Sequence, residues 1–297
     1  MIRYITPAIT PLTTDGHIDT EGTAALYEFL ISGRVDGILT LGSIGEFFAL
    51  PMEEKKTLIK TAVQVINHRV PLIVGTGSTV REDVVSLSRF ALAEGADAVM
   101  IVPPYYFALT DRDVFEWFDG LAAEIPGRIY LYNFPDRTGY PIAAEVVRAL
   151  AEKHANIVGI KDTIGGMDHT RELIKRVREV RPDFEIYSGF DDNFCHNVLS
   201  GGNGCVAGLS NIVPEITSAL AEAARTGDLE GMKKGQQQID RLMDIYQVGA
   251  PFVPFVKAAV VLRGLPIGDT ASAPMPKPTP TQIEALKKIL TREGVRI

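Results

Sequence analysis

The sequence predicts an α/β fold, a (β/α)8 TIM barrel with a C-terminal helical extension, and three observations predict it. About eight short apolar runs alternate with helix-length stretches as far as Leu209. The runs are apolar throughout, as parallel strands covered on both faces must be. Eight βα units favour a closed barrel, and no Gly-x-Gly-x-x-Gly follows the first run to suggest an open dinucleotide-binding sheet.

Ile5 to Leu12 reads as the first strand, with Pro7 and Pro11 suited to its ends. Asp19 is placed to cap a helix that Gly33 ends. Gly37 to Gly42 is the second strand, and a helix runs from about Met52 to Ile66. Pro71 to Gly75 is the third, after which Thr79 and Glu82 have capping-box spacing for a helix that Gly95 closes. Ala98 to Val102 is the fourth strand and Asp111 starts the next helix. Arg128 to Asn133 is the fifth, followed by a helix over about 142–153. Ile157 to Ile160 runs straight into Lys161 as the sixth, with a helix near 168–180 behind it. Phe184 to Ser188 is the seventh strand, followed by a helix around Phe194, and Gly204 to Leu209 is the eighth. Beyond Val213 only helical patterns remain, at 215–225, 228–246, 251–263 and 281–293, with a proline-rich loop at 273–278. We divide the chain into a barrel, 1–225, and a helical extension packed on it, 226–297.

The chain of 297 residues is 46% hydrophobic and 23% charged, which suits a globular protein with a sizeable core. Its net charge of -7, without a block of like charge, argues against nucleic acid as a partner. Cys195 and Cys205 form no CxxC pair and no zinc spacing, and read as reduced cysteines. The first residues open into a strand-like run without a signal-peptide core, and no segment is long and apolar enough to span a bilayer. The expectation is a soluble cytoplasmic protein with no membrane contact.

In a barrel, chemistry sits at the carboxyl ends of strands and in the loops after them. That rule selects Ser43 and Glu46, Tyr105 and Tyr106, Tyr132, Asn133 and Arg137, Lys161 and Thr163, and Gly189, Asp191 and Asp192. Burial disfavours a charged amine, so Lys161 at the end of an apolar strand suits a nucleophile that forms a Schiff base with a carbonyl. The bland reading has it snorkel out at the strand end or pair with Asp162. Tyr132, on the neighbouring strand at the corresponding level, can carry a proton. Arg137 either meets a structural carboxylate or grips a substrate carboxylate. Asp191 either caps a helix or faces the rim. The Gly-flanked turn at Ser43 and Gly45 can bind a carboxylate, and Glu46 either holds that loop or joins the chemistry.

Three motifs carry a resemblance: Gly42-Ser43-Ile44-Gly45-Glu46; Tyr132-Asn133-Phe134-Pro135 with Arg137-Thr138-Gly139; and Gly159-Ile160-Lys161-Asp162-Thr163. In order and spacing they resemble the signatures of the dihydrodipicolinate synthase/N-acetylneuraminate lyase family, from Ile5 to about Leu290. The resemblance implies a barrel with a C-terminal helical portion, a homotetramer, and neither metal nor organic cofactor. It implies that Lys161 forms the Schiff base with pyruvate or a 2-oxo acid, and that Tyr132 relays protons. Ser43, Ile44 and Gly45 would hold the carboxylate through a hydroxyl and amides. Tyr106 matches a tyrosine that reaches a neighbouring subunit's site, and the backbone of Val206 matches a position near bound pyruvate. The departure is Ile44, where the family carries a second hydroxyl.

Thr163 and the run Gly189-Phe190-Asp191-Asp192 resemble the sugar-acid lyases, whose threonine and carboxylates contact substrate hydroxyls. Phe107 stands where synthases carry asparagine. Arg137 resembles instead the synthase arginine that holds an aldehyde carboxylate. The balance implies a class I aldolase that reversibly cleaves a 2-keto-3-deoxy sugar acid to pyruvate and an aldehyde, closest in motifs to bacterial 2-keto-3-deoxygluconate aldolases. The alternatives are a synthase condensing pyruvate with aspartate semialdehyde, and a non-catalytic barrel that binds 2-oxo acids.

Overall fold

The structure, a computed structural model, describes residues 1–297. The chain runs β1 (Arg3–Pro7), α1 (Thr20–Ser32), β2 (Ile38–Thr40), α2 (Met52–Ile66), β3 (Leu72–Gly75), α3 (Arg81–Glu94), β4 (Ala98–Ile101) and α4 (Asp111–Glu124). It continues through β5 (Ile129–Asn133), a short α5 (Pro135–Thr138), α6 (Ala144–Lys153), β6 (Ile157–Asp162), α7 (Asp168–Val180), β7 (Glu185–Ser188), α8 (Phe194–Leu199) and β8 (Gly204–Val206). Helices α9 (Pro214–Thr226), α10 (Leu229–Leu242), α11 (Val253–Leu262) and α12 (Pro280–Arg292) follow. The strands form a closed barrel in sequence order, as the uninterrupted apolar runs require. No helix is long and apolar enough to cross a membrane.

Two compact units are formed by Met1–Arg3 with Ile73–Val206, and by Tyr4–Leu72 with Ala207–Ile297. In the first, the β5–β6 pairing carries an irregularity: Ile129 pairs with Ile157 but Tyr130 pairs with Gly159. The extra residue on β6 advances that strand by one, so Tyr132 faces Lys161, where an unshifted ladder would set it against Ile160. Gly159 is required at this point. A Cβ there would stand 2.5 Å from the Glu185 carbonyl and 2.7 Å from the Tyr130 ring. At the amino ends of the strands Tyr130 and Tyr187 both donate to Glu185 Oε2, at 2.8 and 2.6 Å. Burial, reinforced by the Glu185 charge, pushes the Tyr130 phenol up to about 12, so it remains a donor.

In the second unit α9 is fixed to the end of α1 and the loop that follows it. Gly33, at the end of α1, lies so close to Pro214 that a Cβ would stand 2.5 Å from its ring. Arg225 of α9 reaches Asp36 at 2.8 Å, and Asp36 in turn accepts the Tyr4 amide at 2.8 Å.

Some local expectations are corrected. Strand β1 ends at Pro7, which has no N–H to continue a ladder, and Leu12 instead bridges to Ile18. The Thr79/Glu82 capping box does not form: α3 starts one residue later, with Val80 at the N-cap and no side-chain cap. Capping boxes form at Thr110/Asp113 and Thr279/Gln282, and Asp19 caps α1 through the Gly22 amide.

Candidate active site

Strand alternation decides what Lys161 touches. Successive side chains on β6 point to opposite faces, so Lys161 and Asp162 diverge. Lys161 is 4% exposed, and its Nζ stands 4.5 Å from the centroid of the Tyr132 ring. Asp162 accepts hydrogen bonds from Asn133 Nδ2 at 2.7 Å and Thr170 Oγ1 at 2.6 Å, and pairs with His169 Nδ1 at 3.0 Å. Lys161 therefore neither snorkels out to solvent nor is neutralised by Asp162.

The Tyr132 ring stacks on Phe134 at 5.8 Å, and the Arg137 guanidinium lies 5.3 Å over the far partner, Phe134. Arg137 is itself exposed, in the single turn of α5. Thr163 is buried, and its amide donates to the Asn133 carbonyl at 2.8 Å. Its hydroxyl is buried too, and meets no protein partner. Gly189 is what leaves room for it: a Cβ at 189 would stand 1.9 Å from Thr163 Oγ1. Asp191 is buried as the first residue of a 3-10 turn, Asp191–Asn193, whose N-cap position is taken by Phe190. Asp192 is exposed. Val206 is buried as the last residue of β8. Tyr106 is 89% exposed with φ +99°, and its ring meets Phe107 edge to face at 5.0 Å. The first unit thus gathers Tyr132, Lys161, Thr163 and Gly189 on adjacent strand ends, with Asp191 buried just beyond; Arg137, Asp192 and Tyr106 lie on its exposed margin.

In the second unit the turn after β2 carries Ser43, Ile44 and Gly45. Gly45 is tightly held: its carbonyl accepts Thr10 Oγ1 at 2.7 Å, and a Cβ would approach the Ala8 carbonyl to 2.9 Å. The Ile44 side chain packs toward Gly208, where an added Cβ would meet it at 3.1 Å. Glu46 closes the turn in the left-handed region at φ +60°. Both it and Lys257 of α11 are shut off from solvent, and they form an ion pair. Glu46 also accepts the Ser272 amide at 2.6 Å, and Lys257 donates to the Thr270 carbonyl at 2.6 Å. Burial pulls the Lys257 amine down from its ordinary value, against the opposing pull of Glu46. Glu46 therefore holds the loop. Sequence reasoning missed Lys257 and His169: one looked like part of an apolar helix, the other like the start of a surface helix. No group of three or more His, Cys, Asp or Glu is arranged to hold a metal ion.

The profile described as the dihydrodipicolinate synthetase family matches residues 1–293. The chain is 35% identical over 285 residues to the putative 2-dehydro-3-deoxy-D-gluconate aldolase YagE of Escherichia coli K12, covering 95% of this chain and 94% of that protein. It is 33% identical to the probable 2-dehydro-3-deoxy-D-pentonate aldolase YjhH of the same organism, covering 98% and 97%. It is also 34% identical to a 4-hydroxy-tetrahydrodipicolinate synthase of Kosmotoga olearia, covering 99% of both. Among solved structures, the crystal structure of E. coli YagE in complex with pyruvate superposes with a TM-score of 0.96 at 34% identity, over 99% of both chains.

Proposed function

The chain belongs to the dihydrodipicolinate synthetase family, and from that we propose that it is a class I aldolase that reversibly cleaves a 2-keto-3-deoxy sugar acid to pyruvate and an aldehyde. Identity alone weighs aldolases and synthases alike, at 35% and 34%. The observation that carries the aldolase reading is the buried, unpartnered Thr163 hydroxyl two residues beyond Lys161. A buried hydroxyl without a partner is costly unless a ligand satisfies it. The hydroxyls of a sugar-acid tail do so, and the buried Asp191 carboxylate accepts from them. Arg137, which a synthase would turn on an aldehyde carboxylate, lies exposed over Phe134.

Lys161 Nζ attacks the C2 carbonyl, and loss of water gives a protonated imine. The imine draws the electron pair of the C3–C4 bond. Tyr132, left as a phenolate once it has given its proton to the departing hydroxide, takes the C4 hydroxyl proton as that bond breaks, an aldehyde leaves, and an enamine of pyruvate remains on Lys161. Protonation at C3 and hydrolysis release pyruvate and restore the amine. Ser43, Ile44 and Gly45 are assigned the carboxylate, through the Ser43 hydroxyl and turn amides, and Val206 is assigned a backbone contact. Asp192 and Gly189 belong to the tail side, and Tyr106 to a neighbouring subunit's site. The exposed Tyr106 and Phe107 support a homotetramer, and two buried cysteines outside any disulfide support a reducing cytoplasm. The test is a panel of 2-keto-3-deoxy sugar acids, and of aldehydes with pyruvate, read by mass spectrometry. The reading fails if aspartate semialdehyde is turned over much faster than every sugar acid.

A further inference from the structure

We propose that His169 is a positioning residue for the Schiff-base pair: as an imidazolium it closes a ring of hydrogen bonds behind Lys161 and Tyr132. The proposal rests on the assignment of those two residues to the reaction. The ring is built from the residues that follow them on their strands. Asn133 and Asp162 are register partners one step beyond Tyr132 and Lys161, on the opposite face of the same two strands. Asn133 Nδ2 donates to Asp162 Oδ1 at 2.7 Å. Asn133 Oδ1 accepts the Ile142 amide at 2.9 Å. The Ile142 carbonyl lies 3.0 Å from His169 Nε2, and His169 Nδ1 lies 3.0 and 3.1 Å from the two Asp162 oxygens. The cycle therefore returns to Asp162, whose side chain is wholly buried.

The protonation state follows from the partners. A carboxylate and a carbonyl both accept, so the imidazole nitrogens must both donate. Either neutral tautomer would set one lone pair against an oxygen. The charged groups facing the ring are Asp162 on β6 and Glu172 on α7 itself, while the segment before α6 contributes the Ile142 carbonyl. Burial pulls the imidazole down. The hydrogen bond to Asp162, its charge, the Ile142 carbonyl and the Glu172 charge outweigh it, leaving the group above its ordinary 6.5. A group raised in the folded state contributes fully below its unfolded value and loses that contribution as pH rises through the folded value. The ring is thus closed around and below pH 6.5 and opens on the alkaline side of it.

An open ring frees the segment around Ile142 and the ends of β5 and β6, and small misplacements at a reacting centre cost roughly 10²-fold in rate. The test uses the full-length protein. Its five histidines, labelled with 15N, are read by ring 15N spectra between pH 6 and 9. The His169 resonances, assigned with His169→Asn, are expected to show both nitrogens protonated at pH 6.5, and to titrate above it. The alkaline limb of kcat with that pKa should be absent in His169→Asn, whose kcat is expected to fall roughly 10–100-fold with KM changed far less. Asp162→Asn should move the limb to lower pH. Should His169→Asn not fold, the ring spectra are assigned with Asp162→Asn and still decide. A neutral His169 at pH 6.5, or a variant whose only change is a lower melting temperature, overturns the clamp. Borohydride trapping of pyruvate on wild-type Lys161 separates the two readings. With trapping intact, a neutral ring sinks the clamp alone; without trapping, the catalytic assignment falls and the proposal with it.

Discussion

Tyr132 and Lys161 face each other across the β5–β6 pairing, and the lysine nitrogen stands over the face of the tyrosine ring, 4.5 Å from its centroid. The ring as a packing surface is thus separable from the phenol as an acid–base group. Tyr132→Phe keeps the face and removes the hydroxyl. Borohydride trapping of pyruvate should survive, while turnover of the sugar acid falls by roughly 10²–10⁴. Turnover near the wild-type rate would leave the phenol a purely structural part.

Lys161→Ala should abolish the borohydride-stabilised pyruvyl label, located by peptide mass spectrometry, while the fold remains cooperative by thermal melting. The retained fold is expected because Asp162 is satisfied by Asn133, His169 and Thr170, so no buried carboxylate is left unpaired. A label on a different lysine would contradict the mechanism.

Thr163→Val and Asp191→Ala should weaken use of the hydroxylated substrate. A neutral hydrogen bond is worth about 0.5–1.5 kcal/mol, so Thr163→Val should cost roughly 2–10-fold in kcat/KM. A charged one is worth about 1.5–3 kcal/mol, so Asp191→Ala should cost roughly 10–150-fold. The exposed Arg137 should tolerate alanine nearly silently with the same substrate. The reverse pattern, with Arg137 dominant and aspartate semialdehyde preferred, would mark a synthase.

Removing Lys257 should expose the cost of Glu46. Lys257→Met leaves a wholly buried carboxylate without its counter-charge, and such losses run to about 3–5 kcal/mol in denaturant melts. The double variant Glu46→Leu with Lys257→Met should regain much of that stability, since an apolar pair can replace a buried ion pair. It should still show a raised KM, because the Ser272 amide loses its acceptor and the Ser43–Gly45 turn its tether. Equal stability of the single and double variants would show that the two residues are not coupled.

Activity should survive exhaustive EDTA treatment, because Lys161 supplies the electron sink through the imine and no acidic, histidine or cysteine cluster has metal-ligating geometry. Loss of activity restored by a divalent ion would contradict this.

What the sequence reveals here follows the range of the interaction. The Ile157–Ile160 run ending in Lys161 is local, and it places the lysine at a strand end directly. The helix over 168–180 is equally local and coincides with α7. The Thr79/Glu82 spacing is also local but misleads, because the helix begins one residue later. Lys257 lies within Phe255-Val256-Lys257-Ala258-Ala259-Val260, where its charge looks like an interruption. Its partner at 46 lies in the second βα unit, and no periodicity links the two. Strand alternation, by contrast, could have separated Asp162 from Lys161, and with it the network behind the site. The irregularity in β6 was not legible, since it lies in the pairing with another strand, where Gly159 stands against Tyr130.

The Glu46–Lys257 tether bears on how this chain can exchange parts with its relatives. A recombinant that takes the last helices from another protein inherits that protein's residue at 257 and its segment around 270–272, while retaining Glu46. Unless the donor also carries a lysine and a matching amide there, the graft introduces a charge mismatch into the interior of the second unit. The C-terminal helices and the turn after β2 therefore form one heritable cassette, split in sequence by the rest of the barrel, and chimeras that cross over between them should be selected against unless residues 46 and 257 travel together.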